Sequence, residues 1–112
     1  RSAALLPGIT CDVRRILYAA PLRPLPGTER LAGLLQRHAQ AVLGEPIPTR
    51  GVPLYTDARH YAAAGVPTVL YGAGPRTLSE ANAHRADECL HLDDLARATR
   101  VVTLALGELL GA

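Results

Sequence analysis

The chain has no lysine, tryptophan, phenylalanine or methionine, and its aromatic residues are four tyrosines. A core without large rings must be built from Leu, Val, Ile and Ala, which suits helices packed on a sheet. All 12 positive residues are arginine and the net charge is only +2. The arginines are scattered, with Arg14 and Arg15 the one adjacent pair, and no basic stripe interleaved with aromatics appears, which argues against a nucleic-acid partner. The lack of lysine reads as a coding bias rather than a binding signature. No apolar run approaches the ~18 residues of a membrane span. The two cysteines, Cys11 and Cys89, match no zinc-finger or redox spacing. They read as reduced, partly buried thiols of a cytoplasmic protein, with a disulfide between them as the alternative. No signal-peptide pattern opens the chain at Arg1 and no initiator Met is present; this reads as a fragment or a processed product.

At 112 residues the chain is one domain at most. Nearly half its residues are apolar, which argues against disorder. In "ITCDVRRILY", residues 9–18, Ile9, Cys11 and Val13 alternate with Thr10, Asp12 and Arg14, the pattern of a half-buried strand. "APLRPLPG" follows as a proline-broken connector. Leu31, Leu34, Leu35, His38 and Val42 recur at helical spacing between a capping Thr28 and a terminating Gly44. "EPIPTRGVPLY" leaves room for a short strand over residues 52–55. A short helix is then predicted from Thr56 or Asp57 to Gly65. "VPTVLYG", residues 66–72, reads as a strand buried on both faces, as in a parallel sheet. The last helix begins near Asp93 and Asp94 and ends at Gly111. The predicted fold is therefore α/β, a mostly parallel sheet flanked by helices. In such sheets ligands sit beyond the carboxyl ends of strands, where the Thr56 corner and the loop over residues 72–84 would fall.

Several residues could carry chemistry. Gly72 and Gly74 in "GAGP" allow close backbone approach to a ligand, or simply a turn. The motif lacks the third glycine of a dinucleotide fingerprint, and there is no P-loop lysine. His84 in "ANAHRADE" has Asp87 and Glu88 nearby, and a neutral imidazole oriented by a carboxylate is a good zinc ligand. His60 and His91 read as surface or capping residues, and His38 as a surface or partly buried one. Thr56 and Arg59 in "TDAR" place a hydroxyl and a guanidinium within one turn at a helix start, which would suit a substrate carboxylate. The plainer reading is an N-cap with a surface Arg–Asp pair.

Taken together, "TDARHYAAAGVPTVLYGAGP", "AHRADE" and "LDDLARATRVVTLALGELL" resemble the carboxyl-terminal end of zinc-dependent amidohydrolases. That family includes acetylornithine deacetylase, succinyl-diaminopimelate desuccinylase, aminoacylases and glutamate-releasing carboxypeptidases. The similarity covers about residues 12–112. Each motif is weak alone, but their ordered set is specific. The resemblance implies a two-domain parent in which a catalytic α/β domain binds two zinc ions and a smaller lid domain often mediates dimerisation. Residues 1–22 would be the last lid strand and connector, and residues 23–112 the carboxyl-terminal part of the catalytic domain. His84 matches the last zinc ligand, and Glu88 the acidic position behind it. Thr56, Arg59, Gly72 and Gly74 match substrate-contacting positions. The substrate would be an N-acyl amino acid or small peptide, cleaved at its amide bond by metal-activated water, and the assembly a homo-oligomer. Leu54 and Tyr55 depart from the two glycines that many relatives carry before the threonine. The remaining zinc ligands and the general base belong to a part of the family pattern not found in these 112 residues, so no catalytic residue is assigned here and the isolated chain is expected to be inactive. The competing reading is a non-catalytic remnant that serves as an interaction or assembly module.

Overall fold

A computed structural model of the chain describes residues 8, 12–54, 56–74, 80, 82, 83 and 85–111. Among these, three helices form: α1 (Thr28–Leu43), α2 (Ala58–Ala63) and α3 (Leu92–Leu110). α1 packs against α3. Each presents a narrow stripe of mostly small buried residues, Leu34 and Ala39 on α1, and Ala98, Val101 and Ala105 on α3. Small side chains along such a stripe let two helices approach closely.

The ends of these helices follow local chemistry. α1 begins after Gly27, whose φ of 96° is open to glycine at little cost. A Cβ at that position would also stand 3.3 Å from the ring of Pro67, so the start of α1 is fitted against the segment that follows α2. Thr28 is the first helical residue rather than the cap, and its hydroxyl accepts from the Leu25 N–H at 3.1 Å. Gly44, with φ 78°, closes α1 by donating its N–H to the Gln40 carbonyl at 3.0 Å. α3 carries Asp93 and Asp94 in its first turn, where the helix dipole favours acids, and ends on left-handed Gly111.

The helix pair is tied by polar groups as well. Glu108 accepts from Arg37 Nη2 at 2.6 Å through one carboxylate oxygen and meets His38 Nε2 at 2.9 Å through the other. His38 is therefore half-buried and works as a link between helices. Gln36 Nε2 donates to the Ile47 carbonyl at 2.9 Å, which holds the chain leaving α1 back against it.

The expected mostly parallel sheet flanked by helices is not found: among the described residues there is no strand. Residues 66–72 run without helical structure beside α1 and α3. Val69 and Tyr71 line a groove of about 240 Å³ with Leu34, Leu35, Val102 and Leu106. The opposite side of this segment is open, with Leu70 55% exposed, so the expectation of burial on both faces fails too. A strand needs a neighbour to satisfy its backbone donors and acceptors. The candidate neighbour over residues 52–54 is broken by Pro53 and carries no ladder. Residues 12–18, the described portion of the first predicted strand, are exposed throughout, and Ile9 and Cys11 lie outside the described residues, as does Tyr55. The radius of gyration, 19.4 Å, exceeds the about 13 Å of a compact domain of this length, in keeping with a chain packed mainly around one helix pair. No described helix is long and apolar enough to cross a membrane.

Candidate functional site

The Thr56–Arg59 corner is built as a helix entry. The Thr56 hydroxyl accepts from the Ala58 N–H at 3.3 Å, its carbonyl accepts from the Arg59 N–H at 3.3 Å, and the Asp57 carbonyl accepts from the His60 N–H at 2.9 Å. These bonds lock Thr56 to the first turn of α2 and leave the hydroxyl proton to be donated elsewhere. Ala58 is buried beneath the turn. Arg59 is half-buried, with its Nη1 atom out of contact with solvent. Asp57 is exposed and makes no side-chain cap. With only six residues, α2 has too short a dipole to attract an anion by itself. Any grip on a carboxylate at this corner comes from the Arg59 guanidinium and the Thr56 hydroxyl.

The glycine corner has two different members. Gly74 has φ 145°, a conformation closed to other residues. Gly72 has no such requirement. It is exposed and lines a shallow cleft of about 280 Å³ with Ala98, Thr99, Val102 and Thr103 of α3. A Cβ at either glycine would meet nothing within 4 Å, so neither is dictated by close packing inside this chain. The Thr99 and Thr103 hydroxyls beside the cleft donate back to the carbonyls four residues earlier, at 2.8 and 2.9 Å.

His84 lies outside the described residues, whereas residues 82, 83 and 85–88 do not. Asn82 Nδ2 donates to Asp87 Oδ2 at 3.3 Å, and Arg85 Nη1 donates to Asn82 Oδ1 at 3.2 Å. The Arg85 N–H donates to the Asn82 carbonyl, and the Glu88 N–H to the Arg85 carbonyl. The Glu88 side chain is exposed. Asn82 and Arg85 were not singled out by the sequence reading. The signal was there in part, since asparagine is among the few residues that tolerate a left-handed backbone, and Asn82 has φ 45°. His60 is exposed on α2, as expected. His91 is exposed and precedes α3, where its carbonyl accepts from the Asp94 and Leu95 N–H groups. Cys89 is a free thiol and is exposed rather than partly buried; Cys11 lies outside the described residues.

The family model of peptidase family M20/M25/M40 matches residues 8–108. The chain belongs to that family. The match takes in both corners, α1, α2 and all but the last two residues of α3, and it makes hydrolysis the chemistry of the family in which these residues are set. No curated protein and no solved structure matches the chain. Members of the M20 family are generally metal-dependent. Among the described residues, however, no group of three or more His, Cys, Asp or Glu side chains could hold a metal ion. Catalytic zinc needs about three protein ligands, so the described residues do not fit a zinc site on their own.

Proposed function

We propose that the chain is the carboxyl-terminal part of a di-zinc hydrolase that cleaves the amide bond of N-acyl amino acids or small peptides. The observation that carries this is the family match over residues 8–108, which sets the Thr56–Arg59 corner and the loop over residues 82–88 in a peptidase framework. In this reading His84 is one metal ligand, and the others come from outside these 112 residues. Glu88 stands behind that ligand. Arg59 pairs with the substrate carboxylate, Thr56 donates its hydroxyl proton to it, and Gly72 and Gly74 leave room for the substrate backbone. The locked first turn of α2 supports this, because it fixes the Thr56 hydroxyl relative to the Arg59 backbone before any ligand arrives. A cytoplasmic location fits the free thiol of Cys89.

The test compares the full parent with the isolated chain. The isolated chain should bind zinc weakly and hydrolyse no N-acyl amino acid. In the parent, His84→Ala should remove most activity together with bound zinc. Arg59→Ala should cost about 2–5 kcal/mol in substrate recognition, the penalty for leaving a partner charge unpaired. Full activity and zinc content in the His84→Ala parent would end this reading.

A second reading has its own support. α3 exposes apolar side chains along its length, with Leu92 77% and Leu110 81% exposed. This fits a non-catalytic module that associates with further copies of itself. Equilibrium sedimentation tests the self-association it requires: a monomer at high concentration rules it out.

A further inference from the structure

α3 carries a line of residues that neither the candidate site nor the helix pair uses. Leu92, Leu95, Thr99, Val102, Leu106 and Leu109 follow one another at steps of three, four, three, four and three residues. All six are exposed. Alternating steps of three and four mark the seam by which one helix packs lengthwise on another. The charged residues of the helix, Asp93, Asp94, Arg97, Arg100 and Glu108, all lie off this line. Ala98 and Ala105, along one flank of it, are buried where α1 packs. Val102, Leu106 and Leu109 also reach the groove beside Val69 and Tyr71 and still remain exposed. α1, by contrast, exposes no large apolar side chain. The helix pair is thus closed on α1 and open on α3.

We propose that this seam is an interface between two copies of the chain, their α3 helices packed antiparallel about a two-fold axis beside Thr99 and Val102. The proposal rests on the reading of the chain as a self-associating module and names the surface that module uses. Area supports a partner. The chain exposes 9528 Å², whereas a folded monomer of 11.9 kDa exposes about 6,000 Å². The excess of about 3,500 Å² is well above the roughly 800 Å² that each partner gives to a standard interface. Chemistry supports a second copy. An uncharged apolar line needs an uncharged apolar face opposite it, and another α3 is such a face in matching register. With the helices antiparallel, Leu92 of one copy meets Leu109 of the other, Leu95 meets Leu106, and Thr99 meets Val102. The Thr99 hydroxyl already donates to the Leu95 carbonyl at 2.8 Å, so it brings no unsatisfied donor into the interface. Parallel helices would set Thr99 against Thr99 and bring Asp93 and Asp94 of both copies side by side. Antiparallel helices keep those acids at opposite ends and oppose the helix dipoles. A two-fold axis also closes the assembly at two copies.

The experiment is equilibrium sedimentation of the 112-residue chain, with circular dichroism to follow helix content. Wild type should be a dimer. Leu106→Glu should raise the dimer dissociation constant roughly 100-fold or more, since it buries a carboxylate against leucine. Thr99→Leu should lower that constant several-fold, a gain that loss of structure does not produce. Leu104→Glu is the control: position 104 is exposed but lies four residues from both Arg100 and Glu108, on the charged side of α3, and the dimer should not change. Orientation is read by mild oxidation in a Cys11→Ser, Cys89→Ser background. Leu92→Cys chains mixed with Leu109→Cys chains should give the mixed disulfide, and Leu92→Cys chains alone should give none. A dimer that ignores both Leu106→Glu and Thr99→Leu overturns the seam and leaves self-association standing. A wild-type monomer overturns both and gives the seam to another occupant. A disulfide between two Leu92→Cys chains overturns the antiparallel pairing.

Discussion

Val101 is the only large side chain that is wholly buried among the described residues, at 0% exposure. Replacing it with alanine removes two carbon groups. Each is worth about 0.8 kcal/mol of transfer free energy, so the loss begins near about 1.6 kcal/mol. A cavity term adds to this, because a close-packed helix pair relaxes only partly. Leu→Ala changes, which remove one carbon more, cost about 2–5 kcal/mol, so we expect about 2 kcal/mol for Val101→Ala. That is a large share of the about 5–15 kcal/mol that holds an ordinary domain together. It should weigh more in this chain, whose buried apolar set among the described residues is Leu34, Ala39, Ala58, Ala98, Val101 and Ala105. Urea unfolding followed by far-UV circular dichroism is the suitable assay, since there is no tryptophan to report. Leu110→Ala, at an 81% exposed position on the same helix, serves as control and should stay within about 0.5 kcal/mol of wild type. A Val101→Ala chain as stable as that control, with an unchanged denaturant slope, would refute the assignment of Val101 to the helix-pair core.

Two further outcomes are expected. Arg37 and Glu108 are 62% and 49% exposed, so a double-mutant cycle between them should give a coupling of about 0.2–1 kcal/mol despite the short 2.6 Å contact; a coupling well above this range would mean that the pair is far drier than its exposure indicates. Burial pushes the Tyr71 hydroxyl above its ordinary value of 10.0. The folded state then keeps its proton longer than the unfolded state does, so the associated stability is complete below about pH 10 and falls as pH rises through the folded value. Thermal melts from about pH 9 to about pH 11.5 should show this alkaline loss in wild type and a smaller one in Tyr71→Phe; equal losses would place the effect elsewhere.

The helices were legible because their signals are local. Leu31, Leu34, Leu35, His38 and Val42 repeat at the helical period, and Gly44 ends the run where a left-handed residue is needed. Asp93, Asp94 and Gly111 mark α3 in the same way. The small error at Thr28 arose because glycine and threonine both suit a helix entry, and only the left-handed Gly27 packed on Pro67 decides between them. The sheet was misread for a non-local reason. An apolar run such as residues 66–72 reports that side chains seek burial and says nothing of which backbone will accept its hydrogen bonds. Here α1 and α3 cover one side of the segment through Val69 and Tyr71, while Pro53 interrupts the stretch that could have paired with it.

The same distinction separates the two halves of the candidate site. The helix entry at Thr56–Arg59 was legible because a hydroxyl two residues before a helix and the helix's second residue are held together by the helix's own geometry. Their bonds span three residues at most. The turn around residue 84 depends on side chains meeting across it, Asn82 with Asp87 five residues on, and no periodicity announces such a pair. What drew attention to "ANAHRADE" was its histidine, the residue type with the obvious chemistry. The residues that organise the turn are an asparagine and an arginine, whose chemistry is obvious only once φ at position 82 is known.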